Sequence, residues 1–405
     1  MTDTVAAGVR GLVVARDGDE VVLGRPDLGR YVVVPEPGAV FVTALQEGCT
    51  FAEATARASS AAGAEVDGAD FLAGLAGAGL LDPPAQPAAD RAASRGREIR
   101  WIEGVSPRTA AALFGRAGWT VYATAASAAV VIIAVRPELR PTFEDAWFLT
   151  DPVSSLLVLW PVSMLLAALH EAGHWLAGRA AGVPARFRVS YRGVYVVFET
   201  DLSQLVTLPR RRRYGPFLAG MAFDSVVLAA ALTLRLAHRE AVLTLPPAFD
   251  RALAAVVLVE VVNLVWQWAA VFLRTDGYAV LANALRCHNL ARATWLTTKW
   301  RLWRLGTAEA AELAAISTHD RAVARWFGAV YLAGAAVMAW LYLVFALPLL
   351  IAMATWAVGN LAALSWQRPA FWESVAVVGV LLISYAGPPL LAVRERRRRR
   401  EGTPR

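Results

Sequence analysis

Beyond residue 117 the chain alternates between long apolar segments and short polar connections. A helical segment of about 18 to 25 apolar residues crosses a hydrocarbon core of ~30 Å. The pattern therefore predicts six transmembrane helices, at about 118–135, 153–180, 215–237, 251–286, 326–353 and 371–393. Residues 326–367 carry no charged side chain and are long enough for two crossings. We prefer one crossing followed by an interfacial segment, because two crossings would move the Arg-rich C-terminal tail to the opposite side.

The first 81 residues have shorter patterns. Apolar positions in GLVVAR, VVLGRP and RYVVV predict three short strands, the first two joined by a turn at DGDE. PGAVFVTALQEG predicts a short helix, and Thr50 and Glu53 have the spacing of a capping box that opens a second helix ending near Ala62. A third helix is predicted over Ala69–Leu80. Three strands with three helices indicate a winged-helix-like domain.

The segment DPPAQPAADRAASRGR has no hydrophobic periodicity and predicts a linker. ARFRVSYRGVYVVFET alternates around Arg192-Gly193 and predicts a hairpin at about 186–198. The expected fold class is a mainly α membrane protein with a small α+β N-terminal domain. Its expected parts are a winged-helix-like domain at 1–81, a linker and juxtamembrane segment at 82–117, a membrane domain at 118–393 and a basic cytoplasmic tail at 394–405.

Composition and charge agree with a membrane protein. Hydrophobic residues make up 57% and charged residues 18% of the chain, against about 25% charged residues in soluble proteins. Much of the net charge of +7 lies beside apolar segments, in Arg210–Arg213, in 286–304 and in the tail. The positive-inside rule then places both termini of a multi-pass cell-membrane protein in the cytoplasm. We expect no cleavable signal peptide, because no apolar core follows a basic start.

Two kinds of site are disfavoured by residue content. The predicted helices at 50–62 and 69–80 contain Arg57 as their one basic residue, whereas a helix that reads DNA sits among several phosphate contacts. We therefore expect no nucleic-acid partner. Cys49 and Cys287 are far apart and form no CxxC pair, so neither a disulfide nor a thiolate zinc site is expected.

The second predicted span contains the chemical motif of the chain. LLAALHEAGHWLAGRAAG includes H-E-x-x-H at His170, Glu171 and His174, which uses two of the five histidines. On a helix, residues four apart share a face, so both imidazoles can bind one ion. Glu171 is rotated by about 100° and has the position of a general base for a peptidase. Polar groups in an apolar span are costly and are functional by default.

A catalytic zinc site needs a third protein ligand and an open position. Asp224, Glu260 and Asp276 are the acidic candidates within the later predicted spans. Asp276 lies in FLRTDGYAVLANAL, about 15 Å from the cytoplasmic boundary at 1.5 Å per residue, a depth comparable with that of His174. Asp224, about nine residues into the third predicted span, is also at a plausible depth, whereas Glu260 is predicted one or two turns deeper. We favour Asp276 over Asp224 as the third ligand, and Gly277 permits a break in a stretch too long for one span.

HEAGH, followed by a small-residue-rich helix, a hairpin, a GP-containing span and a DG motif, resembles the site-2 protease family of intramembrane zinc metallopeptidases. The resemblance covers about 150–290. It implies that His170, His174 and Asp276 bind Zn²⁺ and that Glu171 is the general base.

The third motif of that family usually places an asparagine soon after a GP-type turn, whereas YGPFLAGMAFDSVV has Asp224 near that position. Three roles for Asp224 therefore stay open. It orients substrate, supports a metal ligand, or pairs with a polar neighbour such as Asn263.

The N-terminal stretch YVVVPEPGAVFVTALQEGCTFAEATARAS resembles PqqD-like peptide-recognition domains of ribosomal peptide pathways. This resemblance implies that a leader peptide binds as an added strand. Such a domain joined to a membrane metallopeptidase is similar to proteases of peptide-maturation clusters, including those of daptide biosynthesis. It implies leader removal or maturation, with modification enzymes or an exporter as further partners. The alternatives are intramembrane proteolysis of a membrane-anchored regulator, a non-catalytic peptide-binding scaffold and a metal transporter.

Overall fold

The computed structural model describes residues 8–17, 20–25, 30–81, 105–183, 185–192 and 195–382. The mainly α fold class with a small sheet in the N-terminal part is confirmed. The chain divides into two compact units. One unit comprises Met1–Ala112, Trp175–Val189 and Glu199–Pro216, and the other comprises Leu113–His174, Ser190–Phe198 and Phe217–Arg405.

The predicted N-terminal strands form one antiparallel sheet in the order β1-β2-β3. Their bounds are β1 Val13–Asp17, β2 Glu20–Arg25 and β3 Arg30–Val34. Val22 pairs with Ala15 on one side and with Val33 on the other. The central strand is apolar and buried at 21–23, which fixes its register because a slip by one residue would exchange its two faces.

Three helices follow the sheet: α1 Glu36–Gln46, α2 Phe51–Ala62 and α3 Gly68–Gly77. The capping box of α2 has both of its hydrogen bonds, since Glu53 N–H donates to the Thr50 hydroxyl at 3.3 Å and Thr50 N–H donates to the Glu53 carboxylate at 2.8 Å. Helix α3 ends three residues before the predicted Leu80, where Gly79 takes a left-handed conformation with φ +69°. Phe41 is fully buried in the core of this domain.

The predicted linker 82–97 lies outside the described residues, and so do the end of the sixth predicted span and the basic tail. After the gap come α4 Pro107–Leu113 and α5 Arg116–Val135. Helix α6, Pro152–Ala180, is followed by the hairpin strands β4 Arg186–Arg192 and β5 Tyr195–Asp201. The two strands form a separate two-stranded sheet, as the alternation predicted.

Within the described residues, four helical segments are long and apolar enough to cross a membrane. They are Arg116–Val135, Pro152–Ala180, Arg210–Arg239 and Thr318–Ala362. Large apolar side chains on two of them point away from the protein, including Val130, which is 68% exposed, and Leu165, which is 70% exposed. Exposed apolar surface of this kind is stable where lipid surrounds it. More than half of the most apolar part of helix α7, Arg210–Arg239, is buried inside the structure.

The segment 251–286 is interrupted, as its length led us to expect, but the break lies before the expected position at Gly277. Helix α8, Pro247–Ala269, ends at a short turn, and α9, Asp276–Ala284, begins after it. Arg274 in the turn is left-handed with φ +59°, which stops α8 from continuing. The break therefore precedes Asp276 and does not fall at Gly277.

The helix of the fifth predicted span extends beyond residue 353, the predicted end of that span. Helix α12, Thr318–Leu341, continues through a π-turn at Tyr342–Ala346 into α13, Leu347–Ala362. The segment has 45 residues, or about 68 Å along its axis. A charge-free sequence offers no stop, and Pro348 is tolerated because it falls in the first turn of α13.

Three further helices complete the described chain. Helices α10, Leu290–Leu302, and α11, Thr307–Ala315, precede α12, and α14, Pro369–Leu381, follows α13. The starts of α11 and α12 carry residues that commonly precede a helix. Helix α11 follows a glycine at Gly306, and Ser317 caps α12 by accepting from Asp320 N–H at 3.0 Å.

Candidate metal centre

Helix α6 presents two histidines one turn apart. Their rings lie edge to face with centroids 4.9 Å apart, and the two Nε2 atoms are 3.2 Å apart. His170 is 7% exposed and His174 is 4% exposed. Both imidazoles therefore turn the same nitrogen towards one buried point, as the i, i+4 spacing requires. Glu171 lies between them in sequence and is half-buried.

Asp276 reaches the same point from the first residue of α9. Its Oδ2 lies 2.9 Å from Nε2 of His170 and 2.9 Å from Nε2 of His174. His170 and Asp276 are 106 residues apart in sequence. The three ligand atoms form one group within 4.8 Å.

The end of α8 determines the position of Asp276. The side-chain carbonyl of Gln267 accepts from Asp276 N–H at 3.1 Å, and the backbone carbonyl of Gln267 accepts from the Thr275 hydroxyl at 2.7 Å. The same hydroxyl accepts from Tyr278 N–H and caps α9. A side chain on Gly277 would collide with the carbonyl of Gln267. The turn can pack this tightly because residue 277 is glycine.

Asp224 on α7 supports the outer nitrogen of His170. Its Oδ2 lies 2.7 Å from His170 Nδ1 and accepts from the Asn263 amide at 2.8 Å. A carboxylate at Nδ1 favours the tautomer that carries its proton there, which leaves the Nε2 lone pair available to an ion. Of the three roles left open for Asp224, this geometry matches ligand support and pairing with Asn263.

Gly220 was not singled out in the sequence, yet it borders the site. A Cβ at this position would lie 2.5 Å from His170 Nε2 and 2.5 Å from His174 Nε2. Gly173 has a similar role on α6, since its Cβ would lie 2.8 Å from the carbonyl of Ala219. These two glycines let α6 and α7 approach closely. The available signal was a glycine one helical turn before Asp224, in a helix interior where glycine costs about 1 kcal/mol relative to alanine.

The donor set fits a zinc ion. Zinc takes imidazole nitrogens and carboxylate oxygens at about 2.0–2.2 Å, and a tetrahedral arrangement places such atoms roughly 3.3 Å apart. The observed separations of 2.9, 2.9 and 3.2 Å are within a few tenths of that value. Two imidazoles with one carboxylate also match a catalytic site that keeps one position open.

Glu260, the third acidic candidate, lies outside this ligand group. It is 1% exposed, and its Oε2 has no hydrogen-bond partner in the described part of the chain. Comparisons with models of protein families, with curated proteins and with solved structures found no match to this chain.

Proposed function

We propose that this protein is a membrane-embedded zinc metallopeptidase. One observation carries the proposal: His170 Nε2, His174 Nε2 and Asp276 Oδ2 converge from two helices, with Glu171 adjacent to the first histidine. If the histidines were grouped by chance, there would be no reason for Asp276, 106 residues away, to place its Oδ2 at 2.9 Å from His170 Nε2. Nor would there be a reason for the second carboxylate at Nδ1 of His170, the outer partner that metal-binding histidines use.

Each residue of the site has its own role in the proposed reaction. His170, His174 and Asp276 hold the metal, and Asp224 keeps His170 in the tautomer that can bind it. When bound, zinc polarises the scissile carbonyl and lowers the pKa of a water towards ~7. Glu171 takes a proton from the attacking water, whose oxygen bonds to the carbonyl carbon. The C–N bond then breaks, and Glu171 returns the proton to the leaving nitrogen.

The membrane location is also part of the proposal. Four long apolar segments support it, and the basic residues between them favour six crossings with both termini in the cytoplasm. The interrupted region at 247–284 counts as one of these crossings. Non-helical backbone at membrane depth needs partners for its polar groups, and next to the turn the Thr275 hydroxyl and the Asp276 N–H both donate to Gln267.

We further propose that the substrate is a ribosomally synthesised peptide whose leader binds the N-terminal domain. In the order β1-β2-β3, strands β1 and β3 each have one edge that no other described strand occupies. A leader can extend the sheet at such an edge through backbone hydrogen bonds. The hairpin β4–β5 offers a second edge for the extended segment that is cleaved.

Replacing Glu171 by glutamine tests the peptidase proposal. We expect Glu171→Gln to keep stoichiometric zinc, because the three ligands are unchanged, and to lose about 10²–10⁴-fold in cleavage rate, because the proton acceptor is gone. The matched control is Glu144→Gln, at an exposed position in the connection before α6. Zinc is measured by elemental analysis of purified protein and cleavage by mass spectrometry. Cleavage at the wild-type rate by Glu171→Gln would remove the general base from the mechanism.

Peptides trapped on the Glu171→Gln protein identify the substrate class. A small precursor with a leader supports maturation, whereas a membrane-anchored regulator supports regulated intramembrane proteolysis. Trapped peptide without cleavage by the wild-type protein supports the scaffold alternative. Zinc flux into reconstituted vesicles without any cleavage supports the transporter alternative.

A further inference from the structure

The structure contains a cavity whose lining shares no residue with the metal centre. It has a volume of about 800 Å³ and is formed by α10, α11 and the first two turns of α12. Its polar lining is dominated by Arg304, Arg321 and Arg325, and its apolar lining includes Trp300, Trp303 and Leu313. Pockets that bind small ligands measure roughly 300–1,000 Å³, and this cavity falls within that range.

The three arginines of the cavity have no acidic partner among the described residues. Arg321 Nε is buried and has no hydrogen-bond partner in the described part of the chain. A buried N–H donor without an acceptor is costly, so an anionic ligand that accepts from Arg321 Nε would offset that cost.

Two nearby glutamates pair with cations that do not line the cavity. Glu309 accepts from Lys299 at 2.6 Å, and Glu312 accepts from Arg292 at 2.8 Å. Asp320 Oδ2 accepts from the backbone N–H of Asn289 at 2.9 Å, and Asp320 Oδ1 is buried without a hydrogen-bond partner in the described part of the chain. None of these carboxylates forms an ion pair with Arg304, Arg321 or Arg325 among the described residues.

The cavity lies where the chain passes from polar to apolar sequence. Arg325 is the last charged residue before the charge-free stretch 326–367. Trp300 is 64% exposed and Trp303 is 67% exposed, and both flank the arginines. Tryptophans concentrate at the headgroup level of membranes, where one side of the ring is wet and the other is apolar. Basic pockets on the cytoplasmic side bind anionic lipid headgroups.

We propose that this cavity binds the phosphate of an anionic phospholipid, with the acyl chains running along Trp300, Trp303 and the start of the apolar segment of α12. Arg304, Arg321 and Arg325 supply the charge-assisted hydrogen bonds. The proposal rests on the membrane location of the chain and is independent of peptidase activity. Lipid binding and zinc content are measured separately, so the two proposals fail separately.

The test uses the full chain in nanodiscs of phosphatidylcholine with a minor share of phosphatidylglycerol. Native mass spectrometry of the released protein measures which lipid stays bound. We expect the wild-type protein to retain phosphatidylglycerol preferentially and Arg304→Gln/Arg325→Gln to lose about tenfold in that preference. The matched control, Arg286→Gln, removes an exposed charge outside the cavity and should change it by less than about twofold.

Three results would overturn the lipid site. The first is an unchanged preference in the double variant, and the second is an equal loss in Arg286→Gln, which would mean diffuse attraction by surface charge. The third is complete displacement of the lipid by inorganic phosphate, which would mean a site for the free anion. If the double variant does not fold, Arg304→Gln alone gives the same comparison, because Arg304 is exposed and makes no hydrogen bond in the described structure that its loss would break.

Discussion

Gly220 determines how closely α7 approaches the two imidazoles of the candidate site. Gly220→Ala would place a methyl group 2.5 Å from both Nε2 atoms, so at least one ring must rotate out of position. We expect zinc affinity to fall at least 10–100-fold, the range seen when residues supporting a metal ligand are replaced. The measurement is zinc per protein by elemental analysis after dialysis against a dilute chelator.

The control for this substitution is Gly359→Ala in α13. A Cβ at residue 359 meets no atom within 4 Å, and alanine has the better helix propensity by about 1 kcal/mol. Gly359→Ala should therefore retain full zinc. Full zinc in Gly220→Ala would mean that the two rings do not have to lie where the structure has them.

The sequence predicts some residues of the site better than others, for physical reasons. His170, Glu171 and His174 are predictable because a helix converts spacing directly into a shared face. Asp276 follows from its predicted depth and from the DG motif, since no local pattern links residues that are 106 positions apart. Gly220 gives almost no signal, because its role depends on how two helices pack.

At the scale of elements, the capping box of α2 is a local device that sequence spacing reveals directly. Thr50→Ala removes the hydroxyl that accepts from Glu53 N–H, so we expect α2 to lose about 1 kcal/mol of stability. That loss corresponds to roughly fivefold faster hydrogen exchange in residues 51–62, if they exchange by local opening. Ser60→Ala, at an exposed position near the end of the same helix, is the matched control and should leave exchange nearly unchanged.

The cap also gives α2 a pH dependence. The backbone N–H of Thr50, followed by its hydroxyl, lowers the pKa of Glu53 below the ordinary value of a glutamate. A lowered carboxyl pKa in the folded state contributes stability above the unfolded pKa of about 4.3 and loses it as the pH falls through the folded pKa. The exchange difference between wild type and Thr50→Ala should therefore shrink in acid. A difference that grows with acidification would contradict the capping role of Glu53.

Long apolar elements were harder to delimit than capped ones. The segment 318–362 has no charged residue near its end, so hydropathy alone placed the end nine residues before the end of the helix. The break before Asp276 depends on left-handed Arg274 and on hydrogen bonds from Thr275 and Asp276 to Gln267. Contacts between separate segments decide such boundaries, and a sequence pattern does not contain them.

At the scale of the whole molecule, the site joins parts of the chain that are distant in sequence. The three ligand residues and the residues that hydrogen-bond to them lie on α6, α7, α8 and α9. Each of these residues belongs to the second compact unit. An ion bound there stabilises that folded unit by RT ln(1 + [L]/Kd), because the unfolded chain does not hold the ligands together. The N-terminal domain has its own apolar core, and none of its described residues belongs to the ligand group.

Metal removal should therefore lower the stability of one unit and not of the other. At free zinc about a thousand times Kd, binding contributes about 4 kcal/mol to the stability of the second compact unit. Chelation should therefore lower the thermal midpoint of that unit by on the order of 10 °C. Hydrogen exchange in 51–62 should not change. Chelator saturated with zinc beforehand is the reagent control, and His174→Ala should remove the response. An equal shift in His174→Ala would place the stabilising ion elsewhere, and no shift in the wild-type protein would mean that His170, His174 and Asp276 meet for a reason other than metal.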